Sequence, residues 1–110
     1  MADLRITREV LRLTSQIPRG KVSTYGLIAT ALGNRNLSRL VGQSLKSNPT
    51  PIRIPCHRVV NSDRRLGGYK GLSPSDEKES LLMAEGVEVD RTYRIPKSIW
   101  KEVVFNSFSR

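Results

Sequence analysis

The sequence predicts a mainly α fold, a single domain built around a helix-turn-helix with a short β element. Three observations carry this prediction. The chain has 110 residues, which suits one compact unit, 1–110, with a modest core. Apolar residues recur at helical spacing through its first half. Two of the short helical patterns are joined by a Gly/Asn turn rather than a linker. The apolar fraction of 37% is lean for a globular domain, yet the periodic segments argue against disorder. No internal repeat or low-complexity stretch interrupts the pattern.

Residues 3–17 read as an amphipathic helix, which Asp3 can cap and in which Ile6, Val10, Leu13 and Ile17 fall on one face. Pro18-Arg19-Gly20-Lys21 ends it in a turn. A second helix starts near Ser23 and Thr24, either of which can cap, with Tyr25, Ile28, Ala29 and Leu32 on its apolar face. After the turn Gly33-Asn34-Arg35-Asn36, a third helix spans about 37–47. Leu37, Leu40, Val41, Ser44 and Leu45 form its inward stripe; Ser38, Arg39, Gly42, Gln43 and Lys46 form the opposite face. That small, basic face suits a helix lying against DNA. An ordinary helical hairpin with a solvated polar face explains it equally well.

Asn48-Pro49-Thr50-Pro51 stops the third helix, because proline lacks a donor and restricts the residue before it. Residues 52–60 read as a short extended segment, interrupted by Pro55, and 61–72 as a loop rich in charge and glycine. A fourth helix is expected with Ser73 as cap and Pro74 at its first position, running through Leu81, Leu82 and Met83 to a stop at Gly86. Residues 87–95 look like a small strand or hairpin. The tail, with Trp100 and Phe105, is expected to pack back on the domain and to fray at its end.

Lysine and arginine outnumber aspartate and glutamate 19 to 10, a formal net charge of +9. Such an excess in a small domain points to a polyanionic partner. DNA, RNA and acidic membrane surfaces all qualify, and charge can also serve solubility alone. A single cysteine cannot form an intramolecular disulfide and suits a reducing compartment, so a cytoplasmic (nucleoid) or nuclear, intracellular location is expected. No apolar run approaches the ~20 residues needed to cross a bilayer, and the N-terminus carries no signal-peptide pattern. One histidine and one cysteine make a structural zinc site improbable, so no metal is expected.

The chemistry-bearing residue is Cys56. A thiolate is the nucleophile, and an unperturbed thiol, with a pKa near 8.5, is mostly protonated at neutral pH. Activation needs a base or a positive environment. His57 is the next residue, but neighbours on an extended segment point to opposite sides, so contact requires a bridging water or a local turn. Arg58 adds positive field. A buried structural cysteine is the commoner fate of a lone thiol.

Pro55-Cys56-His57-Arg58-Val59 resembles the active-site signature of the O6-alkylguanine-DNA alkyltransferases, the methylated-DNA–protein-cysteine methyltransferases. Lys21-Val22-Ser23-Thr24-Tyr25 resembles that family's entry to its helix-turn-helix, and Arg39-Leu40-Val41-Gly42 its recognition-helix core. Asn48-Pro49 is similar to the hinge before the cysteine, Gly67-Gly68-Tyr69 to the loop over the pocket, and Lys78-Glu79, Leu81-Leu82 and Glu85-Gly86 to the closing helix. The match runs in order over residues 4–88.

The resemblance implies a winged-helix-like DNA-binding domain and a role for each matching residue. Cys56 would accept the alkyl group, with His57 acting through a water as base, Glu85 orienting it and Asn48 bracing the turn. The base would be flipped out of the duplex, with Arg39 filling the gap and Tyr25 crowding the flanking phosphate. Ser38 and Gly42 are small enough to let the helix lie deep in the minor groove; Lys46 and Ser62 would contact phosphates. Leu45, Pro51, Val59, Leu66 and Tyr69 would line the pocket. The Cys56 and Val59 carbonyls would accept from the guanine amino group, and the Tyr69 hydroxyl would donate to the base. The partner implied is double-stranded DNA containing alkylated guanine, bound by a monomer, with no membrane and no cofactor. The thioether product would spend the protein.

Two departures stand out. Family members usually carry a further N-terminal domain that this sequence lacks, which implies lower stability but spares the catalytic part. Lys70 stands where a small hydroxyl residue often follows the loop tyrosine, so it belongs to the pocket candidates with an open role. Alkyltransferase-like proteins, about this short, offer the alternative: they bind and flip alkylated guanine without transferring the group and recruit other repair factors. They typically replace the cysteine, often by tryptophan, so Cys56 favours transfer. A plain helix-turn-helix regulator would leave Pro55-Cys56-His57-Arg58 without a role.

Overall fold

A computed structural model describes residues 4–70 and 75–109. Helix α1 covers Leu4–Thr14, α2 Tyr25–Ala31, α3 Ser38–Lys46, α4 Asp76–Ala84 and α5 Lys97–Val103. Strands β1 (Ser23–Thr24) and β2 (Val59–Val60) form a parallel pair in the register Ser23 to Val59 and Thr24 to Val60. The architecture is thus mainly α with a small β element, as the sequence predicts.

Helix α1 forms because Val10 and Leu13 share a face that is removed from solvent. Its predicted cap, Asp3, lies outside the described residues. Helix α2 is capped by Thr24, whose hydroxyl oxygen accepts from Leu27 N at 3.0 Å. Gly33, at φ 101°, supplies the left-handed step out of α2. A 3₁₀ turn over Arg35–Leu37, capped by Asn34, then delivers the chain to α3. α2, the turn and α3 form the predicted helix-turn-helix, with Val41, Ser44 and Leu45 of α3 buried.

Two cores result, one on each side of the strand pair. Val10, Leu13, Ile17, Ile28, Ala29, Val41, Leu45 and Val59 fill the first. Val22, Val60, Leu66, Leu82, Val87, Ile95 and Val103 fill the second. Val59 and Val60 serve different cores because successive strand side chains point to opposite faces. The last residues complete the second core's edge: Val22 N donates to Val103 O at 2.8 Å, and Phe105 N donates to Val22 O at 2.6 Å. Phe105 and Phe108 stack edge-to-face against the first core, so the tail packs back as expected.

Four sequence expectations are corrected. Residues 52–60 are not extended throughout. Ile52 sits at φ 77°, Ile54 N bonds Thr50 O at 3.0 Å, and Cys56–Arg58 is a 3₁₀ turn, leaving only Val59–Val60 extended. Residues 87–95 form no strand, because the Asp90 carboxylate accepts from Thr92 N, Thr92 Oγ1 and Arg94 N, which locks a turn. The segment makes a single antiparallel bridge, from Arg94 to Arg65 of the preceding loop. The expected cap Ser73 and first-turn Pro74 lie outside the described residues; α4 begins at Asp76, and the Ser75 hydroxyl oxygen accepts from Lys78 N. Helix α5 lies in what the sequence marks only as tail, because its Ile99, Trp100 and Val103 complete barely one periodic turn.

Leu13→Ala, at a fully buried position, is expected to cost about 2–5 kcal/mol in urea unfolding. Leu4→Ala, at a position 72% exposed, should stay within about 0.5 kcal/mol. Equal losses would mean that the core does not centre on α1.

Candidate active site and nucleic-acid face

The two proline-flanked turns decide where Cys56 and His57 point. In a 3₁₀ turn successive residues are about 120° apart around the axis, not opposite each other as on a strand. The turn is held from outside. Asn48 Nδ2 donates to Ile54 O at 2.8 Å, and Asn48 Oδ1 accepts from Thr50 N at 3.0 Å. Asn48 thus ties the end of α3 to the segment that leads into Cys56.

His57 is fully buried. Its Nε2 stands 3.0 Å from Glu85 Oε2. Burial lowers the imidazole below its ordinary pKa despite Glu85, so the ring is neutral at pH 7. A carboxylate only accepts, so Nε2 carries the proton. Nδ1 is therefore a bare lone pair, buried and without a hydrogen-bond partner.

Arg58 completes the arrangement from the other side of the turn. It donates from Nε to Glu85 Oε1 at 2.8 Å and from Nη2 to Oε2 at 2.7 Å, while Nη1 donates to Ile17 O at 2.8 Å. Burial by itself would raise the Glu85 carboxyl. The hydrogen bonds from Arg58 and then His57 outweigh it and bring the group down to about 2. Glu85 is thus a permanent anion at the end of α4, and the forked bond fixes its plane.

Cys56 is half-buried and opens on a cavity of about 410 Å³. Of the predicted pocket residues, Leu45, Tyr69 and Lys70 line this cavity. Val59 and Leu66 are packed in the two cores, and Pro51 lies exposed in the turn before Cys56; none of the three lines it. Gln43 and Gly68 line it without having been singled out for the pocket. Tyr25, Arg39, Gly42 and Lys46, predicted for DNA contact, line the same cavity, so the outer face of α3 and the thiol share one opening. A Cβ added at Gly42 would stand 3.9 Å from the Tyr25 ring. Ser38 bonds Arg35 O at 2.8 Å at the start of α3. Ser62 lies apart, in a separate groove.

The Tyr69 hydroxyl is buried with no hydrogen-bond partner, and burial pushes it up to about 12. Tyr25 is likewise pushed up to about 12 by burial. Both phenols therefore stay protonated and can donate. Lys70 Nζ sits 5.4 Å from the Tyr69 ring centroid and pairs with Glu77 at 3.1 Å, both side chains about half exposed.

One residue escaped the sequence reading in any role of its own. Lys78 has no exposed surface, and its Nζ donates to Val59 O at 2.6 Å and Gly68 O at 3.2 Å. It therefore fastens the loop carrying Tyr69 to the strand that follows Cys56. Burial lowers its ammonium to about 7, while a charged Cys56 would favour the protonated form. The signal was present: Lys78 falls four residues before Leu82, on the inward stripe of α4. Among the described residues no cluster of side chains suits a metal ion, and no helix is long and apolar enough to cross a membrane.

A helix-turn-helix whose outer face opens onto a half-buried thiol, followed by an imidazole held by a buried carboxylate, defines the class as a helix-turn-helix domain with a cysteine–histidine site. Known proteins agree. The family described as "6-O-methylguanine DNA methyltransferase, DNA binding domain" matches residues 5–87, and the chain belongs to that family. The methylated-DNA–protein-cysteine methyltransferase of Rattus norvegicus is 43% identical over 82 residues, covering 74% of this chain and 39% of that protein. The Archaeoglobus fulgidus protein of the same name is 45% identical over 85 residues, covering 74% and 56%. The chain thus spans about half the length of the curated relatives it matches. Among solved structures, S. pombe Atl1 in complex with damaged DNA containing O6-carboxymethylguanine superposes with a TM-score of 0.81 at 29% identity, covering 96% of this chain and 98% of that one. Mycobacterium tuberculosis OGT in complex with DNA superposes with a TM-score of 0.68 at 35% identity, covering 73% and 48%.

Two outcomes follow. Nitrogen-15 NMR at pH 7 should find His57 neutral and protonated at Nε2; protonation at Nδ1 would remove the bare base. The Glu85 carboxyl lies at about 2 folded against 4.5 ordinarily, so its stabilisation is full above about pH 4.5 and is lost as pH falls toward 2. Glu85→Gln should cost about 3 kcal/mol at pH 7 and flatten that acid limb in denaturation curves. An unchanged limb would assign the acid sensitivity to other carboxyls.

Proposed function

We propose that the chain acts in DNA repair, binding double-stranded DNA containing alkylated guanine and transferring the alkyl group irreversibly to Cys56. The observation that carries this is the pairing of a cavity-facing thiol with a neutral histidine whose free nitrogen is bare. The target atom lies inside a duplex, so the nucleotide must leave the stack to reach such a cavity. Arg39, on the outer face of α3, is suited to occupy the space left behind. Tyr25 would press on the flanking phosphate, while Ser38 and Gly42 keep α3 slim enough for the minor groove and Lys46 and Ser62 hold phosphates.

The steps balance without a cofactor or metal. Through a water, His57 Nδ1 takes the thiol proton, and Glu85 stabilises the imidazolium formed. The sulfur attacks the alkyl carbon, the carbon–O6 bond breaks, and its electron pair goes to the guanine. The guanine leaves as an anion steadied by a hydrogen bond from the Tyr69 hydroxyl, and the proton held by the His57 imidazolium returns to it through water, which restores the neutral ring. Carbonyls at Cys56 and Val59 would accept from the guanine amino group, and the Val59 carbonyl is already oriented by Lys78. The product is a thioether that no neighbouring group can hydrolyse, so each molecule acts once. A monomer suffices, working wherever the cell keeps DNA, in cytoplasm or nucleus.

A second reading has its own support. The likeness to S. pombe Atl1 covers nearly the whole of both chains, and Lys70 departs from the small hydroxyl residue expected beside the pocket. A damage sensor that binds and flips the lesion without transfer fits both facts, but it leaves Cys56 and its histidine without work.

Intact-mass spectrometry after incubation with an O6-methylguanine duplex separates the two. Transfer predicts a gain of one methyl that Cys56→Ser abolishes. Lesion-selective binding with no gain in mass would establish the sensor, and absence of both would leave a general DNA-binding domain.

A further inference from the structure

A second groove, of about 220 Å³, is lined by residues of which only Ser62 has a task in the reading above. It lies beside the first turn of α2. Tyr25 faces the thiol cavity, whereas its neighbours Thr24 and Gly26 line this groove. Three polar side chains converge there on the bare Cα of Gly26. A Cβ at that position would meet Ser62 Oγ at 3.4 Å, Arg35 Nε at 3.7 Å and Thr24 Oγ1 at 3.8 Å.

All three can donate. Arg35 is exposed, and no carboxylate among the described residues pairs with it. The Ser62 hydroxyl has no protein partner there either. Thr24 Oγ1 accepts from Leu27 N, which leaves its own proton for another acceptor. No acidic residue lines the groove. A guanidinium and two hydroxyls around one glycine offer several donors to a compact tetrahedral oxyanion. The far wall is Trp100 of α5, beyond the residues that match the family.

We propose that this notch seats one backbone phosphate of the DNA outside the flipped nucleotide, with Arg35 as its charge partner and Ser62 and Thr24 as hydroxyl donors. Gly26 keeps the seat open. Because consecutive residues of α2 face the two cavities, a duplex lying on α3 and entering the first comes within reach of the second. The proposal rests on the DNA-binding reading above, and it extends the footprint by a contact that reads no sequence.

The test is the salt dependence of binding to plain and O6-methylguanine duplexes, with the intact chain, Arg35→Gln and Arg35→Lys. Losing one phosphate contact should lower the slope of log K against log salt by about 0.9. Arg35→Gln should show that loss and weaken both duplexes by the same factor, whereas Arg35→Lys should keep the slope. An Arg35→Gln slope equal to that of the intact chain overturns the assignment. Inorganic phosphate that saturates the Arg35 side-chain NMR signal while the slope stays unchanged would give the notch to a free anion and also overturns it. If the intact chain shows no preference for the lesion, the repair reading fails, but the slope on plain duplex still decides this one.

Discussion

The carboxylate of Glu85 sits where the C-terminal end of α4 meets the turn that carries Cys56, His57 and Arg58. It accepts two hydrogen bonds from Arg58 and one from His57, across 27 and 28 residues of chain. Arg58 in turn reaches the carbonyl of Ile17, just after α1. One anion therefore ties together the second core, the active-site turn and the segment after the first helix. Removing Arg58 or Glu85 would leave its partner's buried charge uncompensated, which costs far more than an exposed ion pair returns.

That constraint also sets the chemistry. The anion fixes which nitrogen of His57 holds the proton, and burial keeps the ring neutral. The fork from Arg58 keeps the carboxylate ionised well into acid, so it orients the imidazole without competing for its proton. Lys78 works on the opposite wall. It is a buried amine whose bonds to Val59 and Gly68 hold the Tyr69 loop over the cavity. The phenols of Tyr25 and Tyr69 remain protonated along the cavity. The site is thus braced by two ionisable groups of one helix, Glu85 at the end of α4 and Lys78 in its first half, which hold the turn carrying the thiol and the loop carrying Tyr69.

The α3 face joins this chemistry to recognition. Arg39, Gly42 and Lys46 lie along the same opening as Cys56, so whatever α3 lies against is carried directly over the thiol. The strand pair makes this economical: Ser23–Thr24 delivers α2, and Val59–Val60 leaves the active-site turn, so two hydrogen-bonded segments bring nucleic-acid face and nucleophile to one edge.

The sequence by itself determined the helices whose apolar residues recur over several turns, α1 and α3 above all, and the helix-turn-helix between them, because periodicity is a local property. It also singled out the cysteine and histidine as the candidate site and pointed to the family, because those residues stand consecutively in a motif. Tertiary structure decided the rest. The 52–60 segment reads as extended, yet the Asn48 side chain and two prolines curl it into turns, and only that curl frees His57 from the far side of the strand. Asp90 cancels the expected strand at 87–95 through three hydrogen bonds that no alternation of residues announces. Val59 and Leu66 are pocket residues by the family resemblance, but their side chains pack in the cores. Lys78 is ordinary in a list of charged residues and becomes a structural clamp only when burial leaves two carbonyls as its partners. What was illegible shares one cause: these roles depend on groups far apart in the chain, and only folding sets the distances between them.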